Sequence, residues 1–343
     1  MEKIRELLKG LTEIIAPSGM EKTAHGDVLS LCRGSFDEAY TDKAGNLVLV
    51  KRSKLENAPR IMLDAHLDEI GFIVTEICDR GFLKVSRMGG INTRILPSSE
   101  VIICGKKRIN GVFTSVPPHI AKMKKNPDSV PGLNELYIDT GYCKEELEKI
   151  VKIGDRAVNK GDFLELKNNY VVSKSLDNRA SVCALLDMLS YVDNDKLKAD
   201  VYVVLSAREE TGEMSAKCAA YDIKPDYAII IDVNFASAEY LDSRETISCG
   251  KGPSVDFSGA TDKEFTNKLL ELSAICKCPC QLIAEARSTG TNNEKIMLTE
   301  NGVKTAVMSI PIKFMHSYSE ILCLDDIRAL SDILLAAVYG GIL

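Results

Sequence analysis

Apolar residues recur at Ile4, Leu7, Leu8, Leu11 and Ile14-Ile15. That is the spacing of one helical face, so the chain opens with an amphipathic helix. Pro17-Ser18-Gly19 stops it, and a second helix is expected over residues 21–33. Residues 46–50 and 60–64 are short apolar runs that read as strands. From about residue 70 to 166 the texture changes. Apolar runs at 71–77, 82–85, 101–104 and 111–114 stand between glycine and proline turns, the pattern of a small β-barrel or sandwich. Helix and strand then alternate: a helix over 178–192, a strand at 201–205, a helix near 215–220 and a strand at 227–232. A helix over 262–274, a strand at 305–310 and a final helix over 324–339 complete the series. Such alternation predicts an α/β fold with a mixed, largely parallel sheet flanked by helices. Residues 1–69 and 167–343 are expected to form it, with 70–166 as a β-rich insertion.

Size and charge narrow the functions. The chain has 343 residues, 45% of them apolar and 27% charged, as in a globular protein. A net charge of −6 and the lack of a long basic run argue against nucleic acid or an anionic membrane as partner. The charged start, Met1 to Leu8, lacks the apolar core of a signal peptide. No run of about 18 apolar residues suggests a membrane span. Eleven scattered cysteines read as reduced, buried thiols, which places the protein in the cytoplasm. Strand alternation would put the sulfurs of Cys276, Cys278 and Cys280 on one face, but no second cluster supplies a fourth ligand.

Only four histidines are present. His25 falls in a polar helical stretch and reads as a surface residue; His119 follows Pro117-Pro118 and reads as a structural loop residue. His66 and His316 each follow a buried strand. Asp177 stands where a strand gives way to a helix, Asp232 ends an apolar run, and Glu209-Glu210 follow another. In an open α/β sheet the ligand crevice lies outside the carboxyl ends of the strands. Two histidines with three carboxylates (His66, Asp177, Glu210, Asp232, His316) suit two divalent cations sharing a carboxylate. Zinc or cobalt is favoured, and manganese is also accommodated. Such a pair, about 3.5–4 Å apart, activates a bridging water. Glu209 is left uncommitted, placed to carry the water's proton to a leaving amine. Asp68, two residues after His66, can accept the other imidazole N–H.

These motifs resemble the tetrahedral aminopeptidases, dinuclear metallopeptidases that include glutamyl and deblocking aminopeptidases. The likeness runs through Ala65-His66-Leu67-Asp68-Glu69-Ile70-Gly71, Leu176-Asp177-Asn178-Arg179, Glu209-Glu210-Thr211-Gly212, Gly250-Lys251-Gly252-Pro253 and the segment from Ser309 to His316. The resemblance implies a zinc-peptidase-like fold. It implies that His66 and Asp232 hold one metal, Glu210 and His316 the other, and that Asp177 bridges them. Glu209 is then the general base and Asp68 the residue orienting His66. It further implies that the insertion is a dimerisation domain, that dimers assemble into a dodecamer, and that short peptides are the substrates. Two departures stand out. Glu213 adds an acid within Thr211-Gly212-Glu213-Met214-Ser215, and Asn292 replaces an aspartate near the substrate pocket. A deacylase or other amidohydrolase on the same site, and a non-catalytic assembly protein, are the alternatives.

Overall fold

The strands that carry the candidate residues lie side by side in one sheet. In chain order the strands are β1 (Glu38–Thr41), β2 (Leu47–Lys51), β3 (Arg60–His66), β4 (Gly71–Ile77), β5 (Leu83–Met88), β6 (Glu100–Cys104), β7 (Arg108–Phe113), β8 (Ile138–Asp139) and β9 (Arg156–Asn159). They continue with β10 (Leu164–Glu165), β11 (Tyr170–Ser173), β12 (Asp200–Ser206), β13 (Tyr227–Phe235), β14 (Ser254–Ser258), β15 (Gln281–Glu285), β16 (Lys304–Ile312) and β17 (Glu320–Cys323). This computed structural model describes residues 1–121, 130–237, 246–286 and 288–343.

The main sheet has eight strands in the order β1-β2-β12-β3-β13-β16-β14-β15. Its four central strands, β12, β3, β13 and β16, are mutually parallel. β1 and β2 join one side antiparallel, and β14 pairs antiparallel with β16. The parallel strands are buried on both faces, which is why they read as unbroken apolar runs rather than alternating ones. In β3, Ile61, Leu63 and Ala65 pack on one face and Met62 on the other.

Helices cover both faces. The helix Leu176–Leu189 lies against the sheet and is buried along its whole length. Ile4, Leu8 and Leu11 of the first helix, and Ile327, Leu330 and Leu334 of Leu324–Ala336, join the same cluster. Ala216, Ala219, Ala220 and Ile296 cover the opposite face. Among the described residues, no helix is long and apolar enough to cross a membrane.

The inserted part closes into a six-stranded barrel, β4-β5-β8-β7-β6-β9. Phe72, Val74, Leu83, Ile103 and Phe113 fill it, with the Phe72 and Phe113 rings edge-on at 5.0 Å. Its strands run from residue 71 to 159. β10 pairs instead with β11 and β17 in a separate three-stranded sheet.

Some local expectations fail. The helix expected over 21–33 is a 3₁₀ turn, Glu21–Thr23, followed by the helix His25–Leu31. The Glu21 carboxylate accepts from Gly19 N and Arg208 N, tying the turn to a distant strand end. His25 is buried rather than on the surface, with Nδ1 2.8 Å from Thr41 Oγ1. His119 lies in a helical turn, Pro118–Ala121, and is exposed. Cys276 caps a helix and Cys280 only precedes β15, so the three sulfurs do not share a strand face. No cysteine joins a metal-capable group among the described residues. All eleven thiols are free, but only Cys32, Cys104, Cys183 and Cys323 are buried; Cys143 and Cys218 are exposed and the other five half-buried.

Candidate metal centre

The parallel strands end together. Ser206 of β12 is in register with His66 of β3, and Asp232 of β13 with Ser309 of β16. Their common register delivers His66, Glu209-Glu210, Asp232 and His316 to one edge of the sheet. Asp177 arrives from the start of the helix Leu176–Leu189. A cavity of about 880 Å³ opens there, lined by His66, Asp177, Glu209, Glu210, Asp232 and His316 among others.

Asp177 sits between the two histidines. Its Oδ1 is 3.1 Å from His66 Nε2, and its Oδ2 is 3.3 Å from His316 Nε2. Asp232 Oδ1 is 3.8 Å from His66 Nε2, and Glu210 Oε1 is 3.4 Å from His316 Nε2. Two groups therefore have ligand atoms close enough to hold a cation: His66-Asp177-Asp232 and Asp177-Glu210-His316. They share Asp177. Glu209 belongs to neither, and its Oε2 is 3.9 Å from His66 Nε2.

The electrostatics suit cations. Burial pushes Glu209 up to about 9, opposed by His66 and reinforced by Asp232, Glu210 and Asp177. Burial likewise lifts Asp232 to about 8 and raises Glu210. Burial alone would lower His316, but Asp177 and Glu210 outweigh it and hold the ring at about 11. Burial would lower His66 as well, yet Asp177 and Asp68 keep it well above its usual value. Burial opposes ionisation of Asp177, but the two histidines hold its carboxyl well below the usual range. Glu210 Oε1 is buried without a hydrogen-bond partner. An orphaned carboxylate oxygen beside an imidazole is what a nitrogen-and-oxygen metal site presents.

Asp68 meets His66 Nδ1 with two oxygens. Its main-chain carbonyl is 3.1 Å from His66 Nδ1, and its carboxylate Oδ1 lies at 3.5 Å. That carboxylate also accepts from Glu209 N at 3.1 Å, Glu210 N at 3.3 Å and the Ser18 hydroxyl. It thus fixes the backbone that carries both glutamates.

Asn292 follows Gly290 and Thr291, which line the cavity. It is buried beneath the cavity, and its Nδ2 donates to Asp64 Oδ2 at 2.8 Å and Ser206 Oγ at 2.9 Å. Its amide nitrogen partners one oxygen of a buried carboxylate that burial lifts to about 6. Glu213 does line the cavity, 3.8 Å from Lys295 Nζ. Ser215 is buried and bonds Asn46 Oδ1 at 2.6 Å, which anchors the end of this segment.

The barrel contributes a surface with no side chain. A Cβ on Gly90 would lie 2.5 Å from His316 Nδ1, and one on Gly89 would lie 2.9 Å from Glu210 Oε2. Gly89 also has φ +84°, a conformation that favours glycine. The His316 ring also lies against Asp177 and Glu210, so a shift away from a Gly90 Cβ would move its Nε2 relative to both. Gly90→Ala is expected to lower kcat/KM by roughly 10–100-fold, the range for disturbing a ligand's support. Overpacking should cost about 1–3 kcal/mol of stability. Steady-state kinetics and thermal melts on the same preparation check both.

An open α/β sheet carrying two cation-binding groups at its carboxyl edge, with one further glutamate beside them, is the framework of a metal-dependent hydrolase. A sequence model described as M42 glutamyl aminopeptidase matches residues 45–333, and the chain belongs to that aminopeptidase family. It is similar to the lysyl aminopeptidase of Pyrococcus furiosus, 30% identical over 94% of this chain and 93% of the relative. The solved aminopeptidase of Desulfurococcus kamchatkensis superposes with a TM-score of 0.91 at 33% identity, covering 99% of this chain and 95% of that one. The Pyrococcus horikoshii TET1 peptidase, described as able to assemble into a tetrahedron or a large octahedral shell, superposes with a TM-score of 0.87. It is 28% identical, covering 98% of this chain and 99% of that one. The family makes the chain a metal-dependent peptidase.

Proposed function

We propose that the chain is a dinuclear aminopeptidase that removes N-terminal residues from short peptides. His66 and Asp232 would hold one divalent ion, Glu210 and His316 the other, and Asp177 would contact both. The position of Asp177 carries this reading, because its two oxygens face different histidines, at 3.1 and 3.3 Å. Nitrogen and oxygen donors suit zinc or cobalt, and manganese also fits. When bound, such a pair supplies Lewis acidity toward water and the scissile carbonyl, and its charge opposes the rise of Glu209. Glu209 takes the proton of the attacking water on its carboxylate and delivers it to the leaving amine. Asp68 keeps that carboxylate in place by holding Glu209 N.

Residues 1–69 and 167–343 form the catalytic part in this reading, and the inserted barrel serves dimerisation. Similarity to a peptidase that assembles into shells favours a homo-oligomer, dimers building a dodecamer, in the cytoplasm.

The test is a panel of short peptides, with free and acetylated N-termini, run with zinc, cobalt and manganese in turn. Cleavage of the N-terminal residue from free peptides alone is expected. Release of acetate from acetylated peptides, with free peptides left intact, would point to a deacylase. No turnover with any metal would mean a non-catalytic protein.

A further inference from the structure

Glu320 holds the backbone of two ligands. It is the first residue of β17, in register with Ser173 of β11, and it is 1% exposed. Its Oε2 accepts from Asp177 N at 3.1 Å, and its Oε1 accepts from His316 N at 2.8 Å. Both positions need holding. His316 has φ +63°, a left-handed conformation that is unfavourable for a residue with a side chain. Asp177 opens a helix whose preceding residue, Ser175, provides no capping hydrogen bond, and its own φ and ψ are not helical. An N–H at a helix start needs an acceptor from elsewhere. Glu320 supplies it across 143 positions of sequence.

We infer that Glu320 is a positioning residue that sets the spacing of Asp177 and His316, and so the metal affinity of the Asp177-Glu210-His316 group. The inference rests on the two-metal reading above. One carboxylate bridging two backbone N–H groups couples the shared ligand to the ligand of the second group alone. The His66-Asp177-Asp232 group keeps His66 and Asp232, neither of which Glu320 contacts through a hydrogen bond. Loss of Glu320 should therefore weaken the two groups unequally.

Glu320→Gln keeps the shape but replaces one acceptor oxygen with an amide nitrogen that cannot accept from either N–H. Glu320→Asp keeps both oxygens but withdraws them by one methylene. Zinc affinities of the full-length protein are measured by competition with a chromogenic chelator, and thermal melts are recorded with and without zinc. In both variants one zinc step is expected to lose roughly 10–100-fold in affinity, the other less. The upward shift of Tm on adding zinc should shrink, whereas a purely structural role would lower both melts equally. Wild-type affinity at both steps in a folded variant would overturn the inference. So would equal weakening of both steps, an unchanged zinc-induced Tm shift, or failure of both variants to fold without metal. Fewer than two zinc ions per wild-type subunit would instead defeat the two-metal reading itself.

Discussion

Glu209→Gln is expected to lower kcat by roughly 10²–10⁴-fold, the range for removing a general base, while both metal sites still fill. The prediction follows from the division of labour at the end of β12. Glu210 joins a cation group with Asp177 and His316, and Glu209 joins none. Asp68 holds the Glu209 main chain at 3.1 Å, so a glutamine side chain starts from the same place. Glutamine matches the size of glutamate but cannot accept a proton at neutral pH. Metal content by elemental analysis and kcat on an unblocked peptide are measured on one preparation. Full activity would remove Glu209 from the mechanism. Loss of metal would make it a ligand.

Asp177→Asn should have the broader effect. Both histidines face this carboxylate, and both groups depend on it. The amide removes the charge and one acceptor oxygen, so both metal affinities should fall. The loss should exceed the roughly 10–100-fold typical of residues that only support a ligand. Asp232→Asn touches one group, and one affinity should survive. Chelator competition on the two variants, side by side, distinguishes a shared ligand from two independent ones.

Much of this site is legible in the sequence because the sheet is parallel and covered on both faces. Burial turns β3, β12, β13 and β16 into continuous apolar runs, and each run ends where the crevice begins. His66, Glu209, Glu210, Asp232 and His316 can be found that way. Other features depend on contacts between distant segments. Glu320 meets Asp177 across 143 positions, and Glu21 meets Arg208 across 187. No local pattern marks either pair. Gly89 and Gly90 read as a turn, and their approach to Glu210 and His316 appears only when the barrel docks on the sheet. The family resemblance places Asn292 near the substrate pocket, and only the structure shows its amide turned to Asp64. The barrel itself is partly readable. β8 has two residues and β9 four, too short to show a period.

The central claim is that one carboxylate serves two metals. Anomalous diffraction from zinc-loaded crystals tests it directly. Two peaks per subunit are predicted, roughly 3.5–4 Å apart, with one oxygen of Asp177 on each. A single peak, or two peaks of which only one touches Asp177, would contradict the account.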